Sequence, residues 1–168
     1  MRVRVKICGI TRVEDELSAV EQGADAIGLV FYDQSPRNIS INQAIEIANY
    51  IPAFVSVVGL FVNAEPSFIN EVISNANINL LQFHGDESPE ECASYCLPFI
   101  KAIRVKSDTN LVQYAKEYSD AKALLLDAYT EGVAGGTGNV FDWNLIPTQL
   151  AKPVILSGGL NTDNVAQT

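Results

Sequence analysis

The sequence predicts an α/β fold, a (β/α)₈ barrel of parallel strands, and three observations favour it. Short apolar stretches alternate with stretches of helical periodicity at intervals of about 25 residues, the pattern of repeated βα units. Most apolar stretches are hydrophobic on both faces, as in a parallel sheet buried beneath helices. Polar residues end several strands, and a closed barrel gathers those ends into one ring. A doubly wound open sheet is the competing architecture, because periodicity alone does not separate a closed sheet from an open one.

Seven segments have the apolar composition of strands. They span residues 3–8, 26–31, 55–62, 80–83, 99–105, 123–127 and 154–157. Side chains alternate along a strand, so in the first one Arg4, Lys6 and Cys8 share a face. The residues of the other face, which we expect to pack in the core, are Val3, Val5 and Ile7.

Amphipathic stretches between the strands predict the helices. They span residues 13–22, 41–50, 66–76, 89–96, 111–118 and 144–150, with a last helix from about residue 161. The side chains that we expect to cap their first turns are Thr11, Asn42, Ser67, Ser88 and Asp142. No linker interrupts the pattern, so residues 1–168 are expected to form a single domain. Seven βα units are present and the eighth of a barrel is missing, so we expect a domain truncated at its C-terminus.

Composition excludes several classes of protein. Of the 168 residues, 48% are hydrophobic and 18% are charged, which suits a globular domain rather than a disordered or fibrous chain. The net charge of −9 argues against nucleic acid and anionic lipid as partners, because both need clustered Lys and Arg. No apolar run approaches the roughly 20 residues that cross a bilayer. Three cysteines without a secretory leader predict a reducing, cytoplasmic location.

Two strand ends carry groups suited to proton transfer. Cys8 ends the first strand before a glycine turn, and Asp127 ends the very apolar sixth strand. Desolvation favours the neutral form of a carboxyl group, so Asp127 could donate a proton near neutral pH. The two residues form a candidate acid and base pair at a barrel mouth. The alternatives are that Cys8 only packs, as most free cysteines do, and that Asp127 caps the following loop.

Glycine clusters follow the sixth and seventh strands. The first contains Gly135, Gly136 and Gly138, and the second is Gly158 with Gly159. Main chain without side chains lets several N–H groups approach an anion, and this corner of a barrel often holds phosphate. We therefore expect a phosphate grip rather than two ordinary turns. The spacing is not that of a P-loop or of a dinucleotide-binding fingerprint.

Three further features complete the candidate site. Arg37, after the second strand, has a fork of donors suited to a carboxylate, although a solvated surface arginine has the same spacing. His84 is the only histidine, which excludes a multi-histidine metal site. We expect His84 to support the catalytic groups by hydrogen bonding rather than to act directly on the substrate. Cys92 and Cys96 lie one helical turn apart without a second ligand pair, so we expect them to pack, and no metal is predicted.

The motifs of the strand ends together resemble one family. They are Lys6-Ile7-Cys8-Gly9-Ile10-Thr11, Ser35-Pro36-Arg37, Val58-Gly59-Leu60-Phe61-Val62, Gln82-Phe83-His84-Gly85, Leu126-Asp127, Gly135-Gly136-Thr137-Gly138 with Phe141-Asp142-Trp143, and Ser157-Gly158-Gly159-Leu160. In this order, and across the whole chain, they closely resemble phosphoribosylanthranilate isomerase. The resemblance implies a TIM barrel of tryptophan biosynthesis. It also implies conversion of N-(5-phosphoribosyl)anthranilate to 1-(2-carboxyphenylamino)-1-deoxyribulose 5-phosphate by an Amadori rearrangement, without a cofactor.

The resemblance implies roles for individual residues. Cys8 matches the family's general base, Asp127 its general acid, and Arg37 the residue that holds the anthranilate carboxylate. The positions that match parts of the phosphate grip are Gly136, Gly138, Gly158 and Gly159. Lys6 and Arg4 could help the thiol to ionise, because both share its strand face. We expect a small phosphorylated substrate, and a monomer or a homodimer.

Other interpretations stay open at this stage. Indoleglycerol-phosphate synthase and the aldose–ketose isomerase of histidine synthesis are also phosphate-binding barrels. The former should show catalytic lysines and a glutamate at strand ends, and the latter an aspartate where Cys8 stands. A non-catalytic barrel fragment, inactive because its phosphate site is incomplete, belongs to a different class.

Overall fold

The structure, a computed structural model, describes residues 2–128 and 141–167. Its strands are β1 (Lys6–Cys8), β2 (Ala26–Phe31), β3 (Ser56–Phe61), β4 (Leu80–Phe83), β5 (Phe99–Val105), β6 (Leu124–Ala128) and β7 (Val154–Leu156). Its α-helices are α1 (Val13–Glu21), α2 (Ile41–Ala48), α3 (Pro66–Asn75), α4 (Pro89–Ala93) and α5 (Leu111–Glu117), and two 3₁₀ turns span Trp143–Leu145 and Val165–Gln167. The predicted alternation of strands and α-helices is confirmed from β1 to β6.

The first of two compact units comprises Met1–Gln82 and Tyr95–Pro98. Within it β1 pairs with β2 and β2 with β3, and both pairs are parallel. The side chains of β2 and β3 are almost completely buried, because helices cover the apolar strands. Phe31 at the end of β2 stacks on Phe61 at the end of β3, with ring centroids 5.3 Å apart. The packed strands give the residues that follow them a rigid base.

The second unit comprises Phe83–Ser94 and Phe99–Thr168. Within it β6 lies between β5 and β7, again in parallel. All five residues of β6 are buried, and the register places Arg104 of β5 beside Asp127. Both units therefore show the parallel α/β fold that the sequence predicts. Closure of the strands into a barrel and the single domain over residues 1–168 stay predictions.

The first strand is shorter than predicted, and its expected core face is open. Val5 does not continue β1, because its N–H donates to the Asp25 carboxylate over 2.9 Å instead of to a neighbouring strand. Val3, Val5 and Ile7 are 68%, 45% and 40% exposed. The prediction that they pack in the core is therefore wrong for the part of the chain that the structure describes.

The last two predicted helices are wrong. A 3₁₀ turn over Trp143–Leu145 replaces the helix predicted at 144–150, because Pro147 keeps the preceding Ile146 extended, at φ −80° and ψ 117°. A 3₁₀ turn over Val165–Gln167 stands where a helix from about residue 161 was expected. The helix predicted at 89–96 ends at Ala93, since the Ser94 hydroxyl donates to the Glu91 carbonyl over 2.7 Å.

The observed caps correct three predictions. Arg12, Ser40 and Glu65 precede the first turns for which Thr11, Asn42 and Ser67 were expected. Ser40 forms a capping box with Gln43, and Pro66 takes the first helical position of α3 and so moves the cap back to Glu65. The predicted caps Ser88 and Asp142 are confirmed. Among the described residues no helix has the length and apolar content to cross a bilayer.

Candidate active site

Cys8 lies at the C-terminal end of β1, in register with Gly28 of β2. A β-carbon on Gly28 would lie 2.6 Å from Cys8 Sγ and 3.1 Å from Lys6 Nζ. The thiol and the amino group of Lys6 therefore both lie over the bare main chain of Gly28, on the shared face that alternation predicts. The Cys8 side chain is half-buried.

Arg37 lies over the turn that follows Cys8. Its Nη1 donates to the Cys8 carbonyl oxygen over 3.3 Å, and its main-chain N–H donates to Ser35 Oγ over 3.2 Å. Gly9 has φ +86°, and a β-carbon there would lie 2.5 Å from Arg37 Cδ. Glycine is thus needed at this position both for its backbone angle and for the approach of the guanidinium. A guanidinium carries a fork of five N–H donors, and in Arg37 this fork lies against the main chain of Cys8.

Asp127 and His84 meet in the second unit. Asp127 is the fourth of the five buried residues of β6 and is 4% exposed, and His84 follows β4 and is 6% exposed. His84 Nε2 lies 3.2 Å from Asp127 Oδ2, while Asp127 Oδ1 accepts from the Ala128 N–H over 2.9 Å. The contact brings a carboxyl and an imidazole, two groups that serve as acids and bases in enzymes, into one site. The predicted hydrogen-bonding residue His84 thus lies beside the predicted acid.

Gly158 comes directly against the Asp127 carboxyl. Its φ is +83°, and a β-carbon on it would lie 2.5 Å from Asp127 Oδ1 and 2.8 Å from the Ala128 nitrogen. Gly159 also has a positive φ, +64°, and its carbonyl accepts from Asn164 Nδ2 over 3.0 Å. The second glycine cluster therefore forms a turn whose main chain borders the acid. Gly136 and Gly138 of the first cluster lie outside the described residues.

Sequence reasoning missed a buried ion pair beneath the loop after β4. Lys101 Nζ donates to Glu87 Oε2 over 2.7 Å, and the two residues are 2% and 8% exposed. The Tyr118 hydroxyl donates to the Glu87 carbonyl oxygen over 2.8 Å, and burial raises the pKa of Tyr118, which keeps that donor protonated. The available signal was a lysine inside β5, a strand that is apolar except for Lys101 and Arg104.

The other two cysteines differ in their surroundings. Cys92 is buried, as expected for a packing residue, and burial raises its pKa to about 12. Cys96 is exposed, so the prediction that it packs is wrong. No three metal-ligating His, Cys, Asp or Glu side chains form a group within residues 2–128 and 141–167.

Comparison with known proteins assigns the family. The family model described as N-(5'phosphoribosyl)anthranilate (PRA) isomerase matches residues 5–168. The N-(5'-phosphoribosyl)anthranilate isomerase of Pseudomonas fluorescens (strain SBW25) is 57% identical over 163 residues, which are 97% of this chain and 78% of that protein. Its counterpart in Pseudomonas syringae pv. tomato is 56% identical over 165 residues, 98% of this chain and 80% of that one.

Solved structures agree in fold. The crystal structure of phosphoribosyl anthranilate isomerase from Thermotoga maritima superposes with a TM-score of 0.88 at 42% identity, over 99% of this chain and 82% of that one. A phosphoribosyl anthranilate isomerase in complex with reduced 1-(o-carboxyphenylamino)-1-deoxyribulose 5-phosphate has a TM-score of 0.84 at 41% identity, over 99% of this chain and 80% of that one. The chain therefore belongs to the N-(5'-phosphoribosyl)anthranilate isomerase family of tryptophan biosynthesis.

Proposed function

We propose that this isomerase converts N-(5-phosphoribosyl)anthranilate to 1-(2-carboxyphenylamino)-1-deoxyribulose 5-phosphate by an Amadori rearrangement. Asp127 is the general acid and Cys8 the general base. The observation that carries the proposal is the buried Asp127 carboxyl, held by the Ala128 N–H on one oxygen and 3.2 Å from His84 Nε2 on the other. That carboxyl is oriented by these two contacts and shielded from bulk water by burial.

The acid acts first, on the sugar ring. The Asp127 carboxyl gives its proton to the furanose ring oxygen as the bond between that oxygen and C1 breaks. The anthranilate nitrogen supplies the electron pair for a C1–N double bond, which leaves an open-chain iminium. His84 supports the acid, because its contact with Asp127 Oδ2 holds the carboxyl in place for the transfer.

The base acts second, on carbon 2. The Cys8 thiolate removes the C2 proton, the C1–C2 double bond forms, and the iminium nitrogen takes back its electron pair to give an enolamine. Loss of the hydroxyl proton at C2 and gain of a proton at C1 then yield the ketone. Atoms and electrons balance within the substrate, so the rearrangement needs no cofactor. Lys6 Nζ lies with Cys8 Sγ over Gly28 and places a positive charge beside the sulfur.

Local positive groups bind the anionic substrate. Arg37, whose side chain contacts the Cys8 carbonyl, is placed to hold the anthranilate carboxylate by a charge-assisted hydrogen bond. The glycines assigned to the phosphate are Gly158 and Gly159, together with Gly136 and Gly138. The complex of a relative with a reduced deoxyribulose 5-phosphate supports a phosphorylated small molecule as the ligand.

The other partners follow from charge and composition. The net charge of −9 disfavours nucleic acid and anionic membrane surfaces as partners. A cytoplasmic location with free thiols fits the odd number of cysteines. We assign the chain as a monomer or a homodimer. The description of the Thermotoga maritima enzyme as dimeric supports the second of these states.

The experiment measures turnover of N-(5-phosphoribosyl)anthranilate by Cys8→Ser and Asp127→Asn. Each variant should lose at least the roughly 100-fold that removal of a general acid or base costs, with KM little changed. Cys96→Ser and Asp120→Asn make the same chemical changes at exposed positions and should keep normal turnover. Near-normal turnover in either site variant removes that residue from its proposed role.

Arg37→Ala tests the carboxylate contact. The variant should bind a substrate analogue that has the carboxylate more weakly than the parent enzyme does, because a charge-assisted hydrogen bond is lost. An analogue that lacks the carboxylate should bind both proteins equally. Equal losses for both analogues would contradict the assignment of Arg37.

A further inference from the structure

The buried pair of Lys101 and Glu87 fixes the main chain that directly follows His84. Lys101 Nζ donates to the Gly85 carbonyl over 2.8 Å as well as to Glu87 Oε2 over 2.7 Å. The Glu87 carboxylate in turn accepts from the Gly85 N–H, with Oε2 at 2.9 Å. With the Tyr118 hydroxyl on the Glu87 carbonyl, this loop is tied down through three main-chain groups.

Stability alone does not explain a buried ion pair. Removing a lysine and a glutamate from water costs several kcal/mol per ion, and well-packed apolar side chains of similar volume are often as stable or more so. The ring of Tyr118, 5.5 Å from Lys101 Nζ, adds a cation–π contact, which offsets only part of the cost of removing the two charges from water. What the charges supply, and apolar groups could not, is directional hydrogen bonds to Gly85.

Strand β5 adjoins both residues of the contact between His84 and Asp127. Lys101 lies on β5, and β5 also fixes the register of β6 through the pairing of Arg104 with Asp127. Alternation puts Lys101 and Arg104 on opposite faces of β5, so the ion pair does not share a face with Asp127. Lys101 thus joins the loop after His84 to β5, the strand that pairs with β6 at Asp127.

We propose that Lys101 and Glu87 are positioning residues that set the imidazole of His84 against the carboxyl of Asp127. The inference rests on the proposed function, in which the contact of His84 holds the Asp127 carboxyl in place as the general acid. His84 lies one residue before Gly85, and a shift of that loop moves its ring directly. A displacement of about 1 Å at a catalytic group is enough to cost roughly 100-fold in rate.

The experiment compares Lys101→Met with the double variant Lys101→Met/Glu87→Met and with Lys116→Met. Lys116 is an exposed lysine of α5, so its replacement is a matched control. The single variant should lose both thermal stability and kcat, because it leaves the buried Glu87 carboxylate without the charge of Lys101. The double variant should regain the thermal stability while its kcat stays at least about tenfold low, with KM changed less than about twofold.

His84 supplies a second readout that does not depend on turnover. It is the only histidine, so its imidazole resonances in an NMR spectrum need no further assignment. They should move in both the single and the double variant, and stay unchanged in Lys116→Met. Recovery of both kcat and the parent resonances in the double variant would reduce the ion pair to a structural role and overturn the inference. Absence of isomerase activity in the parent protein would instead contradict the proposed function, and the resonances would still decide the positioning role.

Discussion

Replacement of Gly28 by alanine tests whether catalysis depends on the position of the Cys8 thiol. The added β-carbon would lie 2.6 Å from Cys8 Sγ, 3.1 Å from the Cys8 α-carbon and 3.1 Å from Lys6 Nζ. Gly28 lies in the middle of β2, and its φ is not positive, so alanine suits its backbone. The substitution therefore acts on Cys8, through its thiol and its α-carbon, and on the amine of Lys6, rather than on the backbone angles of residue 28.

The magnitude follows from the contact distances. Non-bonded carbon contacts are ordinarily about 3.5–4.0 Å, so the thiol of Gly28→Ala must move by about 1 Å. A displacement of that size costs roughly 100-fold in rate, which is about 2.7 kcal/mol of transition-state stabilisation. Overpacking costs about 1–3 kcal/mol, and alanine in place of glycine restores about 0.4–1 kcal/mol by lowering the conformational entropy of the unfolded chain, so the free energy of unfolding should fall by about 0–2.6 kcal/mol.

The assay is steady-state turnover together with alkylation of Cys8 in a Cys96→Ser background. Gly59→Ala is the matched control, since its β-carbon would meet the side chains of Phe61 at 3.1 Å and Ile78 at 3.3 Å. The control adds a milder crowding, 3.1 Å rather than 2.6 Å to the nearest atom, on the neighbouring strand β3, and its three nearest contacts include no atom of Cys8. Turnover in Gly28→Ala equal to that in Gly59→Ala would refute the reasoning that the thiol must occupy this position.

Three further predictions concern other sites. Gly158→Ala should lose turnover and about 1–2 kcal/mol of stability, because its φ of +83° suits only glycine and its β-carbon would displace Asp127; in Gly23→Ala, where nothing lies within 4 Å, turnover should stay normal. Glu16→Gln should stabilise the protein at pH 7 more than at pH 4. Burial raises the pKa of Glu16 in the folded protein, so the parent loses stability as the pH rises above about 4.3, the pKa of a glutamate in the unfolded chain. Thermal melts at both pH values check this. Cys92, with a pKa of about 12, should resist alkylation at pH 8 until denaturant exposes it.

The elements that sequence reasoning predicted well are those whose signal is local. Strands β2, β4 and β5 match the predicted residues at both ends, because each is an apolar run bounded by turn-forming residues. The helix predicted at 144–150 failed on an equally local signal that was overlooked, the effect of Pro147 on the residue before it. The exposure of Val3 and Val5 depends on what packs against them, and periodicity does not contain that information.

The candidate site shows the same division. Cys8 and Asp127 became candidates because strand ends of parallel sheets often carry functional side chains. The contact of His84 with Asp127 and the pairing of Lys101 with Glu87 join residues far apart in the chain. No spacing rule links such residues, so their partners emerge only when the strands are placed side by side.

A substrate deuterated at C2 of the ribose distinguishes the proposed roles of Asp127 as general acid and Cys8 as general base. Single-turnover rates with light and heavy substrate report whether removal of the C2 proton limits the reaction. Cys8→Ser should show a large primary isotope effect, because its proton abstraction is slow, and Asp127→Asn should show almost none, because ring opening then limits the rate. A large effect in Asp127→Asn with none in Cys8→Ser would contradict the account.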